Sequence, residues 1–192
     1  IKLLEICSKK ELDLLYEASC ASKLKDSLKQ VKGFYVPEIY WQYSSKNILV
    51  LEFINGTPFS KPQQIKQTKH NHKQIAHNLV ISYFTQVYSN GFFHADMHPG
   101  NLFLKENGDI AVVDFGIMGN LSKKIRISVA QIFIAFINQD YQKAAQIHLD
   151  ANLVPEDTDL FDLELTCRIV GQSVVNKDVK QISLTNLLSR LL

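Results

Sequence analysis

Between Gly91 and Gly116 the chain reads GFFHADMHPGNLFLKENGDIAVVDFG, and the middle of this stretch commits the backbone more firmly than any other. Leu102-Phe103-Leu104 and Ile110-Ala111-Val112-Val113 are short apolar runs on either side of Lys105-Glu106-Asn107-Gly108-Asp109. An Asn-Gly pair between such runs is a strong hairpin signal, because both residues tolerate positive φ. A hairpin brings its two ends together. Asn101 and Asp114, at those ends, can therefore meet on one ion although they are distant in sequence.

The residues flanking the hairpin carry the chemistry. His94-Ala95-Asp96 precedes it and Asp114-Phe115-Gly116 closes it. An Asp, an Asn five residues later and a DFG Asp thirteen beyond that is the spacing of the catalytic loop and metal loop in protein-kinase-like phosphotransferases. Phosphoryl transfer needs little covalent help, so the protein supplies position and charge. One carboxylate, Asp96, orients or deprotonates the attacking hydroxyl. An amide oxygen, Asn101, and a second carboxylate, Asp114, hold Mg²⁺ against the phosphates of ATP. His94, Asp96 and His98 also alternate as H-x-D-x-H, a pattern that can ligate a transition metal. That reading leaves Asn101, the hairpin and the DFG triplet unexplained. An ordinary polar turn before a buried hairpin accounts for each element singly but not for their spacing.

A chain of 192 residues is long enough to bury a real core in one compact unit. Its 46% hydrophobic and 21% charged residues are those of an ordinary globular protein, and a net charge of +2 gives no reason to expect a nucleic-acid partner. Cys7, Cys20 and Cys167 lack a C-x-x-C spacing, which points to reduced thiols rather than a disulfide framework or a zinc site. No apolar run approaches the roughly 20 residues of a membrane span.

Upstream of the hairpin, Ile1 to about Val31 reads as one or two helices with a break near Ser8, and one stripe collects Asp13, Glu17, Leu24, Leu28 and Val31. A carboxylate on an apolar stripe is costly to bury unpaired, so Glu17 either sits at the exposed end or faces a cation. Residues 38–43 and 48–54 read as two antiparallel strands turning at Ser44-Ser45-Lys46-Asn47, with Gly56 and Pro58 stopping the second. In a kinase-like fold that exit is the hinge where backbone groups bind adenine. From Phe53 to Ala95 there is no acidic residue, while Lys61, Lys66, Lys69 and Lys73 lie near His70 and His72. This is either a solvated polar linker or a basic surface for phosphate groups or anionic lipid. Residues 74–89 form a helix with Ile75, Leu79, Phe84 and Val87 on one face, stopped by Asn90-Gly91. After the DFG, Ser122 caps a helix carrying Ile125, Val129, Ile132, Phe133 and Phe136. Only Ile117 to Leu121 intervene, there is no A-P-E motif, and Ala95 stands where an Arg would receive an activation-loop phosphate. These features argue against a regulated kinase that docks peptides. Residues 140–149, 159–175 and 180–192 read as further helices.

Phe92-Phe93-His94-Ala95-Asp96-Met97-His98-Pro99-Gly100-Asn101 resembles the signature of the UbiB family, atypical kinase-like proteins tied to ubiquinone (coenzyme Q) biosynthesis. Glu11-Leu12-Asp13 resembles the family's E-x-D motif and Glu17-Ala18 its helix glutamate, and Tyr35-Val36-Pro37-Glu38 and residues 136–141 are also similar. The resemblance implies an α+β, protein-kinase-like fold with a partial N-lobe over residues 1–55 and a helical C-lobe over residues 56–192. It implies Mg²⁺ and ATP as cofactors, with Asp96 as catalytic base and Asn101 and Asp114 as metal ligands. Glu17 would pair with the nucleotide lysine, and Glu11 would meet a lysine of an N-terminal K-x-G-Q segment. ATPase or small-molecule kinase activity would follow, with a quinone precursor or lipid and ubiquinone-biosynthesis proteins as partners. The place implied is the cytoplasmic face of the bacterial inner membrane, held peripherally.

The K-x-G-Q segment, the nucleotide loop and the strand lysine are not in this sequence, which therefore reads as the interior of such a protein. The sequence predicts that this chain alone does not turn over ATP, and that its first helix exposes an apolar stripe for want of the missing strands. Two other readings remain open: an aminoglycoside- or choline-phosphotransferase-like small-molecule kinase, and a non-catalytic, nucleotide-sensing scaffold for quinone-biosynthesis proteins.

Overall fold

Asp13 stands outside the first described helix as its N-cap, not on its apolar stripe. The Asp13 carboxylate accepts from the Leu15 main-chain N–H at 3.2 Å, satisfying one of the donors a first turn leaves without a partner. The computed structural model of the protein describes residues 13–175. Glu11, the expected break near Ser8, Cys7 and the expected helix over residues 180–192 lie outside that range. Helix α1 spans Leu14–Ser27 and so ends short of Val31. The Ser27 hydroxyl donates back to the Leu24 carbonyl, and Leu28 N–H is shared between the Leu24 and Lys25 carbonyls, which closes the last turn.

Six strands follow among the described residues: β1 (Phe34–Tyr35), β2 (Gly56–Pro58), β3 (Phe92–His94), β4 (Leu102–Lys105), β5 (Ile110–Val112) and β6 (Met118–Asn120). The predicted hairpin is β4–β5, with Leu102 opposite Val112 and Leu104 opposite Ile110. Its turn departs from expectation in one respect: of the Asn-Gly pair, only Gly108 takes positive φ (88°). Asn107 contributes its side chain instead, accepting from Asp109 N–H at 3.0 Å. The sheet order is β1-β5-β4-β2, with β1 parallel to β5 and β2 antiparallel to β4. A separate antiparallel pair joins β3 to β6.

Two strand expectations need correction. Residues 38–54 do not form two regular strands. A bridge between Ile39 and Leu51 and the bonds Tyr40 N–H to Val50 O and Glu52 N–H to Glu38 O hold a short ribbon, interrupted by a 3₁₀ turn at Trp41–Tyr43. The Ser44 hydroxyl accounts for the interruption: it bonds both the Tyr40 carbonyl and the Val50 N–H, competing with the ladder. Nor do Gly56 and Pro58 stop a strand; they form β2. That strand lies at the sheet edge, where proline is tolerated. Gly56 is required by close approach, because a Cβ there would stand 2.8 Å from the Leu104 carbonyl oxygen.

Helices α2 (Pro62–Gln67) and α3 (His72–Phe84) precede β3. The expected single helix over residues 74–89 is α3 plus a π-helical segment, Thr85–Asn90, which ends at left-handed Gly91 (φ 70°) as predicted. Ser82 and Thr85 hydroxyls donate to the Leu79 and Ile81 carbonyls, both at 2.8 Å, and compete with the regular ladder where the helix changes pitch. The buried face is Ile75, Ser82, Gln86 and Val87, with Phe84 only half-buried.

Packing divides the chain into two units, residues 1–121 and 122–192, in place of one. This boundary follows contacts, whereas the expected one near residue 55 follows the lobes of the family. In the first unit, Ala18, Ala21, Leu24 and Leu28 of the α1 face share one core with Leu102, Leu104, Ile110, Val112 and Phe115. Leu24 and Leu28 of the stripe expected to be exposed are therefore covered in this core, while Leu15 and Tyr16 on the same helix are exposed. In the second unit, Ser122 caps α4 (Lys123–Ile137) as predicted, accepting from Ile125 N–H at 3.3 Å. Helix α5 (Tyr141–Asp150), capped by Asp140, and α6 (Leu160–Val175) follow. Ala135, Tyr141, Ala144, Ala145 and Cys167 form that unit's core. Cys20 and Cys167 are buried, and neither forms a disulfide among the described residues.

Candidate active site

The predicted site residues from Glu17 to Asp114 all lie in the first unit, and backbone bonds hold their loop from three sides. Val113 N–H donates to Asn101 O at 2.9 Å, so Asp114 begins one residue beyond the hairpin's last rung. Ser60 N–H donates to Pro99 O at 3.0 Å, and Ala95 N–H to Ile117 O at 3.0 Å. The five residues after the DFG return at once into β6 against β3, with Met118 opposite His94. Among the described residues only Ile117–Leu121 lie between the DFG and the Ser122 cap of α4.

Inside this frame Asn101 is oriented by Asp96. Its Nδ2 amide donates to the Asp96 main-chain oxygen at 3.1 Å and to Asp96 Oδ2 at 3.2 Å. With the amide nitrogen engaged, Asn101 Oδ1 is left with no donor among the described residues. Asp114 is exposed and takes the left-handed conformation, φ 64°. Few non-glycine residues accept that conformation, Asp and Asn best, and such outliers gather at functional sites. Asp114 Oδ1 accepts from Gly116 N–H at 3.2 Å, which steadies the turn.

His94 ties the two loops together and is fully buried. Its Nδ1 accepts from Asp96 N–H at 3.2 Å, and its Nε2 faces the Asp114 carbonyl oxygen at 2.6 Å. A carbonyl only accepts, so the network assigns the neutral Nε2–H tautomer. Burial, the largest influence, holds its pKa below the ordinary imidazole value, although the Asp114 carbonyl pulls the other way. Both ring nitrogens are occupied, which removes His94 from any H-x-D-x-H metal set. The ring also packs edge-on against buried Phe115, centroids 5.8 Å apart.

Glu17 reaches the same loop from α1. Its Oε1 accepts from Phe115 N–H at 3.0 Å. Burial raises its pKa above the ordinary carboxylate value most; the Phe115 bond lowers it, and neighbouring Asp114 raises it again. Among the described residues no lysine or arginine forms an ion pair with Glu17. Glu17, expected either at the exposed end of its stripe or facing a cation, meets a main-chain donor of the DFG turn. Of the E-x-D motif only Asp13 lies within the described residues, and it serves as the α1 cap.

The available donors suit a hard cation. Asn101 Oδ1 and the Asp114 carboxylate are oxygen donors that could hold Mg²⁺, which typically takes one or two carboxylates while keeping several waters. Among the described residues no cluster of three or more His, Cys, Asp and Glu could hold a metal. The sequence reading missed Gln86, whose Oε1 accepts from His94 N–H at 3.0 Å. Its signal was available: a polar residue four positions after Ser82 on an otherwise inward-facing helical row.

Residues 4–148 match the ABC1 atypical kinase-like domain. Over 185 residues, 94% of this chain, the sequence is 41% identical to the probable protein kinase UbiB of Erwinia tasmaniensis, of which it spans 34%. In shape the chain is similar to Rv3197 of Mycobacterium tuberculosis, solved in complex with erythromycin, at a TM-score of 0.60 and 20% identity over 79% of this chain and 38% of that one. The second likeness speaks to the fold alone. Among the described residues no helix is long and apolar enough to cross a membrane. Spacing, hairpin, α+β fold and these matches agree: the chain belongs to the family of ABC1 atypical kinase-like domains.

Proposed function

We propose that this chain is the interior of a UbiB-like atypical kinase or ATPase that uses Mg²⁺ and ATP in support of ubiquinone biosynthesis. The observation that carries this reading is the orientation of Asn101 by Asp96, beside the left-handed Asp114 at the hairpin's end. Asp96 acts as the base that orients or deprotonates an attacking hydroxyl. Asn101 Oδ1 and the Asp114 carboxylate hold the cation, and when bound the cation neutralises charge on the phosphates. His94 keeps the two loops in register. Glu17 holds the DFG turn through Phe115 and would meet the nucleotide lysine of a longer chain, while Glu11 would meet the covering segment. The acceptor is a small molecule or lipid such as a quinone precursor, because the direct return from the DFG into β6 leaves no platform for a peptide. The place of action is the cytoplasmic face of the inner membrane, with ubiquinone-biosynthesis proteins as neighbours.

The scaffold reading draws support from Glu17, which has a main-chain partner in place of a cation. One experiment separates the two. In the full-length protein, Asp96→Asn and Asp114→Asn should each lower ATP turnover by at least about 10²–10³-fold, the usual cost of losing one well-placed group in an active site. Tight MgATP binding with no turnover in the parent protein would select the scaffold. Turnover unchanged in Asp114→Asn would refute the assignment.

A further inference from the structure

We propose that Gln86 is a positioning residue that sets the catalytic loop through the main chain of His94; the proposal rests on the phosphotransferase reading above. Gln86 is fully buried, on the inward row of α3 and the π segment that also holds Ile75 and Ser82. An aliphatic side chain there would bury apolar area without an unsatisfied amide of its own, at the expense of the buried His94 N–H. Gln86 instead leaves its Nε2 amide without a hydrogen-bond partner, a cost of about 1–3 kcal/mol when such a group is buried. Packing alone does not explain that choice. The other end of the amide does: Oε1 accepts from His94 N–H at 3.0 Å.

The place of that bond gives it meaning. Strand β3 pairs with β6 on one edge and, among the described residues, has no strand on the other. At His94 the side chain of Gln86 stands in for the missing strand. The next residue, Ala95, is held by Ile117 on the opposite side. The main chain is thus pinned on both flanks immediately before Asp96. From His94 the ring passes the constraint on, to Asp96 N–H through Nδ1 and to the Asp114 carbonyl through Nε2. One buried amide therefore fixes both the carboxylate expected to act as base and the loop expected to hold the cation. Gln86 also lies within a six-residue π-helical segment, Thr85–Asn90, a form that is rare and gathers at functional sites.

The test compares two near-isosteric variants in the full-length protein. Gln86→Met removes the acceptor, and Gln86→Glu keeps an oxygen at Oε1. Turnover of ATP and its KM are measured together with hydrogen–deuterium exchange of the peptide spanning residues 92–97. Gln86→Met should lose about tenfold in kcat, equivalent to one misaligned contact, with KM for MgATP within about twofold and faster exchange confined to that peptide. Gln86→Glu should keep kcat within about threefold of the parent. Wild-type kcat and unchanged exchange in Gln86→Met would overturn the proposal, as would a common loss in both variants without any change in exchange. Should Gln86→Met not fold, a large kcat loss in folded Gln86→Glu refutes it and retention supports it. If the parent protein turns over no ATP, the phosphotransferase reading fails on its own, and exchange at 92–97 still decides the role of Gln86.

Discussion

Glu17 is where two accounts of the site diverge, and substitution separates them. Its carboxylate accepts from the N–H of Phe115, a residue only 1% exposed, and carries no cation among the described residues. Glu17→Ala strands that N–H, at about 1–3 kcal/mol for an unsatisfied buried donor. Part of the loss is returned, because a desolvated charge facing Asp114 disappears with it. A net loss of about 1–2 kcal/mol in urea unfolding at pH 7 is expected. Glu17→Gln keeps an acceptor for Phe115 and removes the charge, so its stability should equal or exceed the parent's, within about 0.5 kcal/mol. The pH dependence has a definite sign. The folded pKa of Glu17 is raised above 4.5, so its contribution to stability is complete below that value and lost as pH rises through the folded pKa. The advantage of Glu17→Gln should therefore appear near neutral pH and vanish below 4.5. If Glu17→Gln costs as much as Glu17→Ala at pH 7, a cation outside the described residues offsets the charge, and the account of Glu17 as mainly a holder of the DFG turn is wrong.

Two further expectations concern the frame of the site. Gly56→Ala would place a Cβ 2.8 Å from the Leu104 carbonyl oxygen, and thermal unfolding should report a loss of about 1–3 kcal/mol from the forced shift of β2; a neutral result would mean the edge strand moves freely. The Tyr35 phenol, bonded to Glu52 at 2.5 Å, is pushed up to about 12, and burial pushes Tyr83 and Tyr88 up as well, so ultraviolet titration should show several tyrosines ionising late and Tyr35→Phe should remove only the step near 12. The stability it lends is present below its ordinary value and lost as pH rises through about 12.

The parts of the site legible in the sequence are those whose signal is local. The Asn107-Gly108 turn, the left-handed stop at Gly91 and the Ser122 cap each depend on a few neighbouring residues, and all three occur. The DFG spacing was legible because a hairpin of that length converts it directly into proximity. What stayed hidden depends on distant partners. Nothing near Phe34 announces that it will lie parallel to Ile110. The aromatic, β-branched composition of residues 38–54 promised regular strands, but Ser44 diverts two main-chain groups that a ladder needs. Asp13 was misplaced because a capping carboxylate and a stripe carboxylate are one residue apart in phase. Gln86 went unnoticed because a lone polar residue among apolar ones reads as noise until its partner is known.

The parallel rung between Phe34 and Ile110 joins positions 76 residues apart, and that gap has a cost in time. A ribosome adds about 5–20 residues per second, so roughly 4–15 seconds pass between synthesis of β1 and synthesis of its partner. During that interval Ala18, Ala21, Leu24 and Leu28 have no β5 to cover them. Only the earlier members of that core, Phe34, Val36, Ile39 and Ile75 among them, are then at hand for the first helix. The β4–β5 hairpin, by contrast, can close as soon as its own residues are free, so the loop that bears Asp96 and Asp114 can be assembled locally, and only then does the helix that carries Glu17 meet its full partner surface.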